Sequence, residues 1–412
     1  MEPATEAPLS SQQAADYLGI KVQTLYAYAS RGLVKGLPGA RGQGRRYRKA
    51  DLEPLRTRGA GPAAQALRFG EPVLDTRITR MTAQGPQYRG HSAVELAQRD
   101  VPFETVAELL WSGTLPPRPV RWRHDAPAPP WRELARLVPL GASPLTALAV
   151  TLPVLAAADP MRFDTEPASV MARARRLIPQ LAACVALVLD RGRLAAASAT
   201  GDPVRALALA LGLPLGPKTL GLLRCTMILA ADHELNTSTF AARVAASTGA
   251  DVYACLSAAL GAFSGPLHGS ASEHVEWLVR EAGSPEGAVA AVSERMRRGE
   301  KLPGFGHPLY PDGDARVGPM LQRAVALKPR APRVRTLIAL IEAMARAHRP
   351  KPNLDVALAG VCGALDLPIG MGPAIFAIGR SAGWVAHVLE QQRSGLLLRP
   401  RARFVGASGD AG

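Results

Sequence analysis

The chain has 412 residues, enough for two or three domains around a sizeable core. Its hydrophobic fraction is 47% while aromatics reach only 5%, so Ala, Leu and Val must fill that core, a composition that favours packed helices over sheets. The formal charge of +15 suits an acidic partner such as nucleic acid or phosphate, yet only seven of the 49 basic residues are Lys, and a GC-rich genome would also encode this Arg-, Ala-, Gly- and Pro-rich chain.

Other classes are disfavoured from the outset. Cys184, Cys225, Cys255 and Cys362 stand singly among apolar residues with no C-x-x-C pair, so neither a metal site nor a disulfide framework is expected. The start of the chain lacks a basic-then-apolar signal pattern, and no apolar run reaches the roughly 18 residues of a membrane span. A soluble, cytoplasmic protein is expected.

Residues 9–58 are compact, polar and basic. Leu9 to Ile20 reads as a capped short helix ending at Gly19, a tight turn follows, and Val22 to Ser30 reads as a second helix. Beyond Gly32 comes a Gly-rich basic loop, Arg41 to Lys49, with Asp51 placed to cap a third helix. Ten Lys/Arg against three acids fall between residues 9 and 58, so the positive excess is local, as phosphate contact requires. This pattern resembles the MerR and excisionase family of winged helix-turn-helix domains. The resemblance implies that Gln23, Thr24 and Tyr28 face DNA from the second helix, and that Arg45, Arg46 and Arg48 form the wing. A domain that kept the shape but serves only packing or protein contact is the competing reading, since the second helix carries few basic residues.

Residues 59–70 read as a Gly/Pro/Ala linker, and from about 71 to 406 apolar helical stretches alternate with Gly/Pro breaks. Asn236 and Asp251 are placed as helix caps, the second heading a buried helix from Val252 to Phe263. Another helix opens at Gly372 or Pro373 and runs to about Gln392.

A lone His is more often a satisfied core or surface residue than a catalytic one, so surroundings must discriminate among the eight. His124 and His348 sit at surface-like loop or helix ends, and His274 and His387 lie within helices, where structural roles are expected. His268 in Gly265-Pro-Leu-His-Gly, His307 in Gly304-Phe-Gly-His and His233 in Ala231-Asp-His-Glu differ. Flanking glycines of the first two let backbone approach a ligand closely. Asp355, in Pro352-Asn-Leu-Asp, heads an apolar helix, where a plain cap is the competing reading.

Taken in order, ADHELNTSTFAARVAASTGADVY (231–253), GAFSGPLHG (261–269), GFGHPLYPDGDAR (304–316), PNLD (352–355), FAIGRSAGWVAHVLEQ (376–391) and RPRARFVG (399–406) resemble citrate synthase. YRGHSAVELA (88–97) and AELLWSGTLP (107–116) match the family's opening, whereas 120–222 matches weakly. The resemblance implies an all-α, dimeric, two-domain fold with the active site in the interdomain cleft. Expected boundaries are a helix-turn-helix domain over 1–58, a linker over 59–70, a large domain over 71–270 and 366–412, and a small domain over 271–365.

Carried over by motif, Asp355 is the base that takes a methyl proton from acetyl-CoA, and His268 donates to the thioester oxygen as the enolate forms. His307 polarises the oxaloacetate ketone, and His233, Arg316 and Arg380 bind oxaloacetate. Arg399 matches an arginine supplied by the second subunit. The chemistry suits these types: a weakly acidic α-proton needs a base and simultaneous oxyanion stabilisation, and planar guanidiniums grip carboxylates bidentately. No metal or nucleotide cofactor is implied; the CoA thioester is a substrate.

Two positions depart from the family pattern. Asp314-Ala315-Arg316 replaces Asp-Pro-Arg, and Pro311 stands where many members place a basic residue against CoA. A second functional reading is a transcription regulator whose synthase-like body senses oxaloacetate or acyl-CoA. Retention of Asp355 argues against it, because sensing needs the arginines but no base.

Overall fold

The computed structural model describes residues 8–18, 22–30, 34, 36–37, 45–49, 51–52, 74–123 and 129–400. Thr76–Arg399 forms one compact unit, and the N-terminal segment belongs to another. The linker expected at 59–70 and the turn at 19–21 lie outside the described residues.

In the N-terminal unit, Ser11–Leu18 and Val22–Ser30 are helical, as the sequence pattern indicates. The first helix opens with a reciprocal cap: Gln13 N–H donates to Ser10 Oγ at 3.2 Å while Ser10 N–H donates to Gln13 Oε1 at 2.9 Å. Leu9–Ser10 is therefore not helical but a short strand, pairing with Arg46–Tyr47, which pairs in turn with Gly36–Leu37. Ala14, Ala15, Leu18, Leu25, Val34, Tyr47 and Leu52 form the small core. Asp51 does not cap the third helix: Lys49 is already helical and the Asp51 N–H donates to Arg48 O.

Thr76–Arg399 is built mainly of helices, with one small antiparallel sheet of Thr79–Thr82, Gly85–Tyr88 and His91–Ser92. The sheet escapes a helix-oriented reading because each strand is short and the connections are tight. The helix Met371–Ser394 is the axis of the fold, buried along nearly its whole length. Pro217–Ala230, Thr237–Ser247, Val252–Phe263 and Pro167–Cys184 pack around it. Gly383 permits the closest of these approaches, since a Cβ there would sit 2.3 Å from Ala231 O. Each large side chain buried on the axis, such as Phe376, Ile378 or Leu389, stabilises the fold by about 1.5–3 kcal/mol.

Asn236 and Asp251 cap their helices as expected, accepting from Thr239 N and Ala254 N at 3.0 and 2.9 Å. Two groups of buried side chains fill this unit. The larger surrounds the axial helix, and a second gathers Val275, Leu278, Val292, Leu337, Leu340 and Val356. All four cysteines are buried and free. No helix among the described residues is long and apolar enough to cross a membrane.

Candidate active site

His233 lies in the turn after Pro217–Ala230, where Glu234 takes a left-handed φ of 56°. Tyr88 pins that turn: its hydroxyl lies 2.8 Å from Ile228 O and accepts from Asp232 N at 3.2 Å. The imidazole of His233 is 8% exposed, with Nε2 2.9 Å from the Tyr310 hydroxyl. Burial holds its pKa well below the usual value, and the Arg316 and Arg380 charges push the same way. It is a neutral ring.

His307 comes from a loop clipped to the Asp355 segment. Gly306 N–H donates to Lys351 O at 2.8 Å, Asn353 N–H to Gly304 O at 2.9 Å, and Asn353 Nδ2 to Gly306 O at 3.2 Å. The same Asn353 caps Leu354–Ala364 through Oδ1, which accepts from Asp355 N at 2.9 Å. One amide thus sets both the His307 loop and the start of the helix carrying the carboxylate. Gly304, at φ 81°, allows the clip, because a Cβ would lie 2.6 Å from Val275 and Val356 methyls.

Leu309 N–H donates to His307 Nδ1 at 3.1 Å, which places the proton of the neutral ring on Nε2. Its ring lies 5.4 Å from that of His233 and 5.0 Å from that of Tyr310. Burial, with help from Arg316, lowers the His307 pKa.

Arg316 is 3% exposed and grips Asp314 through Nε and Nη2 at 2.9 and 2.7 Å, with its guanidinium 5.6 Å from the Tyr310 ring centre. Replacing the family's Pro by Ala315 leaves this fork intact. Arg380, 1% exposed on the axial helix, donates from Nε to Ala230 O at 2.6 Å and lies 4.8 Å from the Phe376 ring centre. Its burial pulls its pKa down to about 10, against the pull of Asp232. Arg316 is matched by its own carboxylate, so Arg380 is the cation whose burial an incoming carboxylate would relieve most.

His268 is held by Ser238, whose Oγ lies 2.8 Å from His268 Nε2. The serine hydroxyl also accepts from Trp384 Nε1 at 3.2 Å and lies 2.8 Å from Asn236 Oδ1. Phe263 packs edge-on against His268 at 5.1 Å and against Phe376 at 4.9 Å. These apolar surroundings push the His268 pKa to about 4. Burial lifts Asp355 in the opposite sense, to about 6, with Arg316 restraining the rise.

Within one chain, Arg316 and Arg380 share an electrostatic neighbourhood with His233, Arg316 also reaches His307 and Asp355, and Arg380 also reaches His268. Arg399 is not brought to this neighbourhood; it is exposed in the irregular stretch that follows Gly395. His387, expected to be structural, is fully buried with Nε2 3.3 Å from the carboxylate of Asp232, the residue before His233. His348 is exposed and His274 lies on the helix Ala271–Ala282, as expected, while His124 lies outside the described residues.

Tyr310, Asp314, Ser238 and Asn353 were not singled out from sequence. All four stand inside the quoted motifs, yet a partner for a buried His or Arg can be identified only once the chain is folded. In the N-terminal unit Gln23, Arg45 and Arg48 are exposed, whereas Arg46 is partly buried and donates to Pro8 O at 3.3 Å. Thr24 and Tyr28 share the second helix, with side chains outside the described residues. The basic loop at 41–44 also lies outside them.

The site thus assembles neutral imidazoles, two buried guanidiniums and a carboxylate of raised pKa. Such a set can hold a small dianion, donate hydrogen bonds to developing oxyanions and accept a proton. Residues 68–401 match the family model described as citrate synthase, C-terminal domain, and residues 8–58 match one for a helix-turn-helix domain. A citrate synthase of Mycolicibacterium smegmatis is 33% identical over 77% of this chain and 88% of its own. A 2-methylcitrate synthase of Mycobacterium tuberculosis is 33% identical over 82% of this chain and 89% of its own. Among solved structures, citrate synthase from Thermotoga maritima superposes with a TM-score of 0.70 at 27% identity, covering 84% of this chain and 96% of that one. The Thermoplasma acidophilum enzyme, described as a ternary complex with carboxymethyl coenzyme A and oxaloacetate, shares the fold with a TM-score of 0.71 at 23% identity, covering 85% of this chain and 98% of that one.

Proposed function

Because the chain belongs to the citrate synthase family and is a citrate-synthase-like enzyme, we propose that it condenses acetyl-CoA or propionyl-CoA with oxaloacetate. The products are citrate or 2-methylcitrate and free CoA. The observation that carries this reading is Asp355, a carboxylate raised to about 6 at a helix start tied by Asn353 to the His307 loop. A pKa near 6 keeps the base ionised at neutral pH while leaving it more basic than a solvated Asp.

Arg380 and Arg316 hold the two oxaloacetate carboxylates, and His307 donates Nε2–H to the ketone oxygen. His268 donates to the thioester oxygen while Asp355 removes the methyl proton. Ser238 carries one hydroxyl proton, and Asn236 Oδ1 and His268 Nε2 compete for it. With that proton directed to His268 Nε2, the ring carries its own on Nδ1 and offers it to the enolate oxygen. The enolate carbon then attacks the ketone carbon, and water hydrolyses the resulting thioester. The reaction calls for no metal or nucleotide cofactor.

Arg399, exposed in one chain, fits a site completed by a second subunit, so the working form is a homodimer. The second group of buried side chains falls wholly within 271–365, which supports a small domain there beside a large one (71–270 with 366–412). Buried free thiols accord with a reducing cytoplasm. Thiol release measured with acetyl-CoA and with propionyl-CoA, each with and without oxaloacetate, tests the assignment. Oxaloacetate-dependent release with either thioester supports it, and none with both rejects it.

For the N-terminal domain we propose DNA binding, on the strength of the helix-turn-helix match and the exposed Gln23, Arg45 and Arg48. One small module binds weakly, so the dimer would present two, and their linkage through the dimer raises effective concentration. Absence of DNA binding at about 50 mM salt, where phosphate contacts are strong, would refute it.

A further inference from the structure

The segment 116–123 lies against the helices Phe103–Ser112 and Pro167–Cys184 and leaves a cavity of about 560 Å³. Arg121, Arg123, Arg175 and Arg176 line it, with Glu108 as the single acid among the described residues. That acid is already engaged. Arg175 grips it through Nε and Nη2 at 2.6 and 2.9 Å, and Trp122 Nε1 donates to it at 3.0 Å. Among the described residues, Arg121, Arg123 and Arg176 have no carboxylate within ion-pair reach. A second, smaller hollow shares Arg123, Arg175 and Arg176 and adds Ser198 and Thr200.

Three guanidiniums with no ion-pair partner among the described residues line one hollow, Arg121 alone feeling a further acid, the buried Glu104, and a bound polyanion would relieve their mutual repulsion. Arginine also matches phosphate oxygens in bidentate fashion. The cavity falls within the usual range for small-molecule sites, and its rear wall is rigid: Trp122 stacks on Trp111 at 5.5 Å, and Trp111 Nε1 donates to Ala382 O at 2.9 Å. None of its lining residues belongs to the set around His233, His268, His307 and Asp355. A monocarboxylate would leave most of the charge unmatched, whereas a diphosphate matches three guanidiniums.

We propose that this cavity is a second, non-catalytic site for a small molecule bearing two or more linked phosphates. Calorimetric titration of the full chain with inorganic pyrophosphate and with ATP tests it. Saturating oxaloacetate and CoA keep the substrate site filled. Saturable binding is expected, weakened about ten- to a hundredfold in Arg123→Gln/Arg176→Gln as charge-assisted hydrogen bonds are lost. Both residues are exposed, so thermal midpoint and turnover should stay at wild-type values; if the double variant misfolds, each single variant is titrated instead. Arg45→Gln/Arg48→Gln, in the other basic region, should leave the binding unchanged. No saturable binding of either probe, equal affinity in the pocket variants, or loss only in the Arg45/Arg48 variant would overturn the proposal.

Discussion

Asp355→Asn keeps the shape of the side chain and removes its charge, so activity and stability should move in opposite directions. The fold raises this carboxyl from 3.8 to about 6. At about 1.4 kcal/mol per unit, the folded chain therefore disfavours the charged form by about 3 kcal/mol. Partial exposure of the side chain reduces the expected effect to about 2 kcal/mol. The helix N-terminus favours the anion by only about 0.3–1 kcal/mol and does not reverse the sign.

Because the folded pKa lies above the unfolded one, the stability linked to this group is complete below about pH 4 and lost as pH rises through about 6. The Asn variant, neutral throughout, should exceed wild type by about 2 kcal/mol at pH 8, a gain of a few degrees in thermal midpoint. At pH 5 the gain should shrink. Turnover at pH 8 should fall by about 10²–10⁴-fold, as expected for loss of a general base. Thermal melts at the two pH values, paired with CoA-release assays, read both. Turnover within tenfold of wild type, or no added stability at pH 8, would show that Asp355 is not a base held against its own desolvation.

Across pH, kcat/KM should decline through a single limb near pH 6 as Asp355 protonates, while His268, held at about 4, adds none in the neutral range. A limb near pH 7 that disappeared on replacing His268 would contradict this. Gly304→Ala should destabilise by at least about 2 kcal/mol, through strain at positive φ and contact with two valines, and should lower turnover by displacing His307; a well-folded, fully active variant would refute the clip. Heterodimers of Arg399→Ala with Asp355→Ala chains should regain activity that neither homodimer has, because one of their two sites keeps both wild-type groups. No recovery in verified heterodimers rejects a shared site.

Much of this chain is legible before folding. Helix caps such as Asn236 and Asp251 are local events, decided by a side-chain oxygen and the next three residues. The apolar run of the axial helix, the glycines around His268 and His307 and the order of the motifs are likewise written along the sequence. Partnerships across long separations are not. Nothing near His233 announces Tyr310, 77 positions away, nor does His268 announce Ser238, 30 positions before it. The role of His387 as the buried partner of Asp232, 155 residues distant, is equally silent. Burial decides the rest. Asp355 reads as a helix-start carboxylate in sequence, and only the apolar packing around it raises its pKa toward that of a working base. Arg121 and Arg123 gain Arg175 and Arg176 as neighbours only once the helix Pro167–Cys184 packs beside them. Sequence fixes which groups are available and the conformations of their immediate neighbours. Their pKa values, tautomers and mutual distances depend on which surfaces lose water together, and that is settled only when distant segments pack.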